Sequence, residues 1–338
     1  MSRLTLEKIA ALAGVSRSTV SRVINDQVNV RPEVRERVQQ VIDETGYQPN
    51  QAARSLASKR STILGLVIPR NVQSVFADPY FPRLIQGISL VCNENDYVLS
   101  LFLFHTEDEE NKIYPRVLNQ GFVDGVIITS MVSGDTLLDQ LKDSDMPFVA
   151  IGRTADMPDV SYVDVDNVGG ATTAVTHLMN LGYKHIATIA GPADVRAAID
   201  RLQGYTTALA ARGLQIDPDL IVRGDFSEAS GYAAMQQLLS HSPDAVFAAS
   251  DAMAQGALRA LREAQIGVPD TIAIVGFDDL ALAALEKPAL TTVRQPIQRV
   301  GKLAAENLLD MLQNGVDPPR RLLLPTELVI RDSCGKKG

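Results

Sequence analysis

Arg17, Ser18, Ser21, Arg22 and Asn25 are spaced so that one side of a helix would carry all five, with Val20, Val23 and Ile24 on the other. The polar side offers hydroxyls, an amide and two guanidinium groups, and no acid. A short helix with that face fits the acceptor-rich major groove of duplex DNA. The alternative from these residues alone is an ordinary helical hairpin with a solvated face.

The elements that must position this face are legible on either side. Leu6, Ile9, Ala10 and Ala13 recur at helical spacing. Thr5 stands where an N-cap belongs, and Gly14 ends the helix because glycine accepts a left-handed backbone. Ser16 can cap the following helix. A third helix is expected over 32–45. Pro32 suits its first position, Val34, Val38, Val41 and Ile42 form its apolar stripe, and Gly46 stops it. The core of three such helices is small and marginal by itself.

Charge separates this head from the rest of the chain. Residues 1–60 hold 10 Lys and Arg against 6 Asp and Glu, and the remainder hold 22 against 34, within a net charge of −8. A basic head on an acidic body confines contact with phosphate to the head. Across 338 residues, 46% of them hydrophobic, two or three domains are expected. No run reaches the length of a membrane span and the first residues do not form a convincing signal peptide, so a cytoplasmic location is expected. Cys92 and Cys334 match no metal spacing; no metal site and no cofactor are expected.

From Thr62 onward, strands and helices alternate. Apolar runs at 62–69, 98–104, 124–130 and 147–153 are separated by helical segments. A second series follows at 186–192, 220–223, 245–251 and 272–279. Continuous apolar strands between helices imply parallel sheets covered on both faces. The fold class is therefore an all-α helix-turn-helix head followed by an α/β core of two doubly wound parallel-sheet lobes. The tail, with strands at 291–296, 321–325 and 328–332 and a helix at 297–314, is expected to return to both lobes. Between head and body, 50–58 is too short for a stable isolated helix. It is either a linker or a segment that folds when something binds it.

The chain resembles the lactose-repressor (LacI/GalR) family of transcription regulators over essentially its whole length. The resemblance is carried by VSRSTVSRVIN, GYQPNQAARSLASKRS and the ordered series GVIITS, IGR, RLQGY, ASDAMAQGAL, GFDD and LTTVRQP. It implies a homodimer whose two heads bind a pseudo-palindromic operator. By matched position Arg17, Ser18 and Arg22 would reach base edges, Arg suiting the N7 and O6 of guanine. Thr5, Ser16, Thr19, Ser21, Asn25 and Asn50 would hold phosphates; capping and packing are the other roles open to Ser16 and Thr19. The resemblance makes 50–58 a hinge helix that enters the minor groove, with Leu56 the apolar wedge and Ala53 and Ala57 close to the groove wall. Arg31 is a departure, since the family often has Ser or Thr before the third helix. The implied organisation is a DNA-binding head at 1–47, a hinge at 48–60 and a two-lobed body at 61–338.

The implied body resembles periplasmic sugar-binding proteins, with a small sugar-like effector between the lobes. Ligands of such sheets lie beyond the carboxyl ends of the strands. Arg70, Thr129, Ser130, Arg153, Ser250, Asp251 and Asp278 stand there, and Arg201 joins them from a helix start. By matched position Arg201, Ser250 or Asp251, and Asp278 are the expected ligand groups, while Phe76, Tyr80 and Phe81 would stack on a sugar face. Asp251 has a competing role as a helix cap, and Arg153 as partner to an acid across the lobes. Asp278 and Asp279 are adjacent, so only one is expected to face the cleft. A phosphorylated sugar would need extra cations, for which Arg70 and Arg196 are candidates. Whether the effector induces or co-represses is not written in the residues.

The expected function is thus a sugar-controlled repressor of carbohydrate-utilisation genes. A plain sugar-binding protein is the alternative. An enzyme is disfavoured: G-x-S-x-G, P-loop and post-strand G-x-G-x-x-G motifs are all missing.

Overall fold

The computed structural model describes residues 4–24, 27, 29–47, 60–104, 106–118, 121–129, 136–153, 159–315 and 318–335. The chain forms two compact units, Met1–Ser61 and Thr62–Gly338.

The first unit holds α1 (Leu6–Ala13), α2 (Arg17–Ile24) and α3 (Pro32–Thr45). Gly14 and Gly46 close α1 and α3 at φ +62° and +61°, as their positions after the apolar stripes require. Ile9, Ala10, Ala13, Val20, Val23, Val38 and Tyr47 form a single small core. Arg31 makes no side-chain cap to α3, which starts on Pro32.

The second unit begins with β1 (Ile63–Asn71), α4 (Val72–Ala77), α5 (Tyr80–Glu94), β2 (Val98–Phe104), α6 (Glu107–Leu118), β3 (Gly125–Ile128), α7 (Thr136–Lys142), β4 (Phe148–Ile151) and β5 (Tyr162–Val165). It continues with α8 (Asn167–Asn180), β6 (Ile186–Ala190), α9 (Arg196–Ala211), β7 (Ile221–Arg223), α10 (Glu228–Leu239), β8 (Ala245–Ala248), α11 (Asp251–Glu263) and β9 (Ala273–Asp278). The chain closes with β10 (Thr291–Arg294), α12 (Ile297–Asn314), β11 (Arg321–Leu324) and β12 (Glu327–Val329).

The strands make two six-stranded sheets, ordered β11-β5-β4-β3-β1-β2 and β12-β10-β9-β8-β6-β7. The first is parallel throughout, and in the second only β12 runs antiparallel. Side chains alternate between the faces of each strand. Leu64, Leu66 and Ile127 therefore pack under α5 and α12, while Val67, Val126 and Ile128 pack on the opposite face. In the second sheet Val246 and Ile274 face one core, and Phe247, Val275 and Phe277 the other. Both faces of each sheet are buried, which is why their strands read as continuous apolar runs.

One strand escaped the sequence pattern. Tyr162–Val165 is four residues long and interrupted by Asp164, so it lacks an apolar run, yet it pairs with β4 and β11. The tail returns to both lobes as expected: β10 ends in the second lobe, α12 and β11 lie in the first, and β12 lies in the second. With the step from β5 to α8, the chain crosses between lobes three times. Placing α12 against α5 depends on two glycines. A Cβ on Gly87 would stand 2.1 Å from the carbonyl oxygen of Gln298, and one on Gly301 would stand 2.4 Å from that of Leu84.

Candidate functional site

The polar face of α2 is presented as its spacing requires. Ser16, Arg17, Ser18 and Arg22 are exposed, and Thr19 and Ser21 are half-buried. Ser16 caps the helix, its Oγ accepting from the amide of Thr19 at 3.2 Å and bonding the hydroxyls of Ser18 and Thr19 at 2.8 Å. Thr5 accepts weakly from the amide of Lys8 at 3.5 Å. One acid does approach this face: Glu7 of α1 lies 3.1 Å from Arg17. The pair is exposed, so it is worth little and yields readily to phosphate or base. Asn25, Asn50, Ala53, Leu56 and Ala57 lie outside the described residues.

In the body, the crossovers build a cavity between the lobes of about 720 Å³, counting the part open to solvent. The first lobe contributes Tyr80 and Phe81 from the start of α5, Thr129 beyond β3, and Asp164 from β5. The second contributes Arg196 and Arg201 from α9, Phe226 after β7, Ser250 after β8 and Asp278 at the end of β9. Asn167 and Gln295 come from the crossovers themselves. Every strand contribution sits at a carboxyl end, where loops are free to carry polar groups beyond the sheet.

Arg201 is the hub. It is only 5% exposed, and its guanidinium lies 3.8 Å over the ring of Phe277. It donates to Asn167 Oδ1 at 2.9 Å, to the Ala249 carbonyl at 2.6 Å and, more loosely, to Asp278 Oδ1 at 3.4 Å. Gln295 Nε2 donates to the same Asp278 oxygen at 2.5 Å. Burial pushes the carboxyl of Asp278 up to about 7, against the pull of Arg201. Burial likewise pushes Asp164 up to about 6, although the amides of Val165 and Arg153 donate to it. The site therefore holds two carboxyl groups that titrate near neutrality, beside aromatic rings. It can accept and donate hydrogen bonds to hydroxyls while apolar faces stack on Tyr80, Phe81 or Phe226.

Of the expected effector residues, Tyr80, Phe81, Arg201, Ser250 and Asp278 come together here. Ser130 lies outside the described residues. Three others are placed elsewhere. Phe76 is 68% exposed and does not line the cavity; it follows the end of β1 on the short helix α4, which leaves its ring in solvent. Asp251 turns away from the cavity: one oxygen accepts from the Leu280 amide at 2.8 Å, the other from the Thr292 hydroxyl at 2.5 Å. Nor is Asp251 the helix cap, since Ser250 performs that role through the amide of Met253. Arg153 pairs across the lobes with Asp200 at 2.5 Å rather than lining the cavity. Asp279 points away from Asp278 and toward Arg294 and Arg331.

Sequence reasoning missed Asp164, Asn167, Phe226 and Gln295 as lining groups. Asp164 belongs to the strand that was not read. Asp166 caps α8 through the amide of Gly169 at 2.8 Å, and its neighbour Asn167 is drawn into the site by Arg201. Phe226 follows a strand end, the signal that found the others.

Residues 5–50 match the family described as "Bacterial regulatory proteins, lacI family", and residues 175–334 match a "Periplasmic binding protein-like domain". The chain is 42% identical over 335 residues to the HTH-type transcriptional regulator CelR of Thermobifida fusca, covering 98% of each chain. It superposes on a solved CelR–cellobiose complex with a TM-score of 0.78 and 40% identity, over 98% of this chain and 100% of that one. It also superposes on the lac repressor dimer bound to operator and the anti-inducer ONPF. There the TM-score is 0.87 and the identity 28%, over 98% of this chain and 99% of that one.

Proposed function

Because this chain belongs to the lacI family of bacterial regulatory proteins, we propose that it represses carbohydrate-utilisation genes under the control of a neutral sugar held between its lobes. The observation that carries the sugar assignment is the charge balance of the cavity. Arg201 is committed to Asn167, Ala249 and Asp278, and Arg196 lies 2.8 Å from Asp200. Among the described residues, each cation lining the cavity is thus paired with an acid, although Arg196 keeps a buried Nε without a hydrogen-bond partner, while Asp164 and Asp278 offer acceptors. A phosphorylated sugar would meet carboxylates that already offset both cations; a neutral polyol meets complementary groups. The likeness to a cellobiose-bound regulator makes cellobiose the first sugar to test.

The head at 1–47 reads the operator, with Arg17, Ser18 and Arg22 on base edges and Thr5, Ser16, Thr19, Ser21, Asn25 and Asn50 on phosphates. The hinge at 48–60 inserts Leu56, with Ala53 and Ala57 against the groove. The body, from 61 on, binds the effector and forms the homodimer, in the cytoplasm and without turnover. Effector binding alters the angle between lobes and so the spacing of the two hinges. Inducer action is the default sign. By linkage, operator DNA changes sugar affinity by the same factor that sugar changes operator affinity.

The test is selection of operators from fragmented source DNA by the purified protein, with and without cellobiose and a panel of other sugars, followed by sequencing. Enrichment of a palindrome near sugar-uptake or glycoside-hydrolase genes, released by one sugar, is expected. No enriched site at either low or physiological salt would overturn the repressor assignment and favour a plain sugar-binding protein.

A further inference from the structure

Asp278 faces the cavity from a backbone that an L-residue rarely adopts. Its φ is +121°, and that of Asp279 is +55°. Two consecutive residues of this kind do not persist by local preference; surrounding contacts must hold them. Three of those contacts reach Asp279, beside the bonds of Arg201 and Gln295 to Asp278 and of the Leu280 amide to Asp251. Arg294 Nε donates to one carboxylate oxygen of Asp279 at 2.7 Å and Arg331 Nη2 to the other at 2.5 Å. Arg331 is itself anchored, its amide donating to Thr291 Oγ1 at 2.9 Å and its Nη1 to the Leu290 carbonyl at 2.7 Å. From the first lobe, Arg83 Nη1 donates to the carbonyl of Asp279 at 3.1 Å. None of Arg83, Arg294 and Arg331 lines the cavity.

We propose that Arg331 and Arg294 are positioning residues of the effector site: by clamping Asp279 they hold the strained 278–279 turn that presents the Asp278 carboxyl to the ligand. The proposal rests on the assignment of Asp278 as a ligand group. It gives the C-terminal segment a part in recognition although it touches no ligand. It also places one contact between the lobes, through Arg83, on the same two-residue turn. A merely structural role for Arg331 would tie down the tail after β12 and leave the turn as it is.

The test uses the full-length protein with Arg331→Met, Arg331→Lys, Asp279→Asn and the double variant Arg331→Met/Asp279→Asn. Asparagine tolerates the left-handed backbone, so Asp279→Asn removes the charge without a new steric conflict. Three quantities are read: amide hydrogen exchange at 278–280, cellobiose affinity by calorimetry, and the melting temperature. Arg331→Met and Asp279→Asn are each expected to speed exchange at the turn and to weaken cellobiose binding by about tenfold to a hundredfold. The double variant should be no worse than either single one, and Arg331→Lys should recover part of the affinity. A lower melting temperature with turn exchange and cellobiose affinity both retained would overturn the proposal. Retained affinity in Asp278→Asn would instead remove the assignment on which it rests, and a wild-type protein that ignores cellobiose would remove that sugar; in both cases exchange at the turn still decides the clamp.

Discussion

Arg153 of the first lobe reaches 2.5 Å to the carboxylate of Asp200, a residue of the second lobe with no solvent exposure. Asp200 is also bound by Arg196 at 2.8 Å, and Arg153 keeps a longer contact of 3.8 Å to Asp164. The bond to Asp200 raises the Arg153 pKa, so the guanidinium stays charged at any working pH. It is a tie between the lobes at the rim of the cavity. Replacing Arg153 by Met keeps the apolar stem and leaves Asp200 with one partner. Because Arg153 is a third exposed, the expected loss is on the order of 1 kcal/mol. The ligand-free lobes should also open, read as a larger radius of gyration in solution scattering. An unchanged melting temperature and radius would show that the tie carries no load.

Asp278 predicts two opposite pH dependences. Its carboxyl is pushed up to about 7, chiefly by burial. To accept sugar hydroxyls it must be ionised, so sugar affinity should rise as pH increases through about 7, with protons released on binding. Stability runs the other way. An unfolded aspartate titrates near 4, while the folded group keeps its proton to higher pH. The contribution is therefore complete below about 4 and is lost as pH rises through about 7. In Asp278→Asn both slopes should flatten and the response to effector should disappear, with operator binding retained. Calorimetric titrations across this range check the first slope and thermal melts the second; wild-type pH profiles in the variant would place the ligand elsewhere.

On the proposed reading, the polar residues of α2 divide into readers of bases and holders of phosphates. Arg22→Ala should cost about 1–3 kcal/mol of operator affinity and relax specificity at one base position. Thr19→Ala should weaken all sequences alike. Competition binding against an operator library separates the two patterns, and uniform weakening by Arg22→Ala would reassign it to phosphate.

Leu56 lies outside the described residues, and its role as a wedge comes from the resemblance alone. Leu56→Ala should weaken operator binding by loss of the kink and leave sugar affinity as it was. Fluorescence-based bend measurements on a labelled duplex would show the straighter DNA. Equal affinity and equal bend would remove the wedge.

Much of this protein was written in short-range pattern. Thr5, Gly14, Ser16 and Pro32 mark helix ends because capping is decided within a few residues. The apolar runs of β3, β6, β8 and β9 announce strands buried on both faces, and the charge split separates head from body. Tyr80, Phe81, Arg201, Ser250 and Asp278 were placed at the site because strand ends and motif order locate them without any long-range contact.

What only the tertiary structure decided is which way those groups turn and what holds them. Asp251 and Asp278 both stand at strand ends, yet one is captured by Thr292 and Leu280 and the other by Arg201 and Gln295. Asp164 became visible only when β11, arriving from 159 residues later in the chain, paired with a strand too short and too polar to announce itself. Arg153 left the cavity because a buried acid in the other lobe claimed it. In each case partners far apart in sequence compete for one charged group, and the winner depends on distances that exist only after the three crossovers have brought the lobes together.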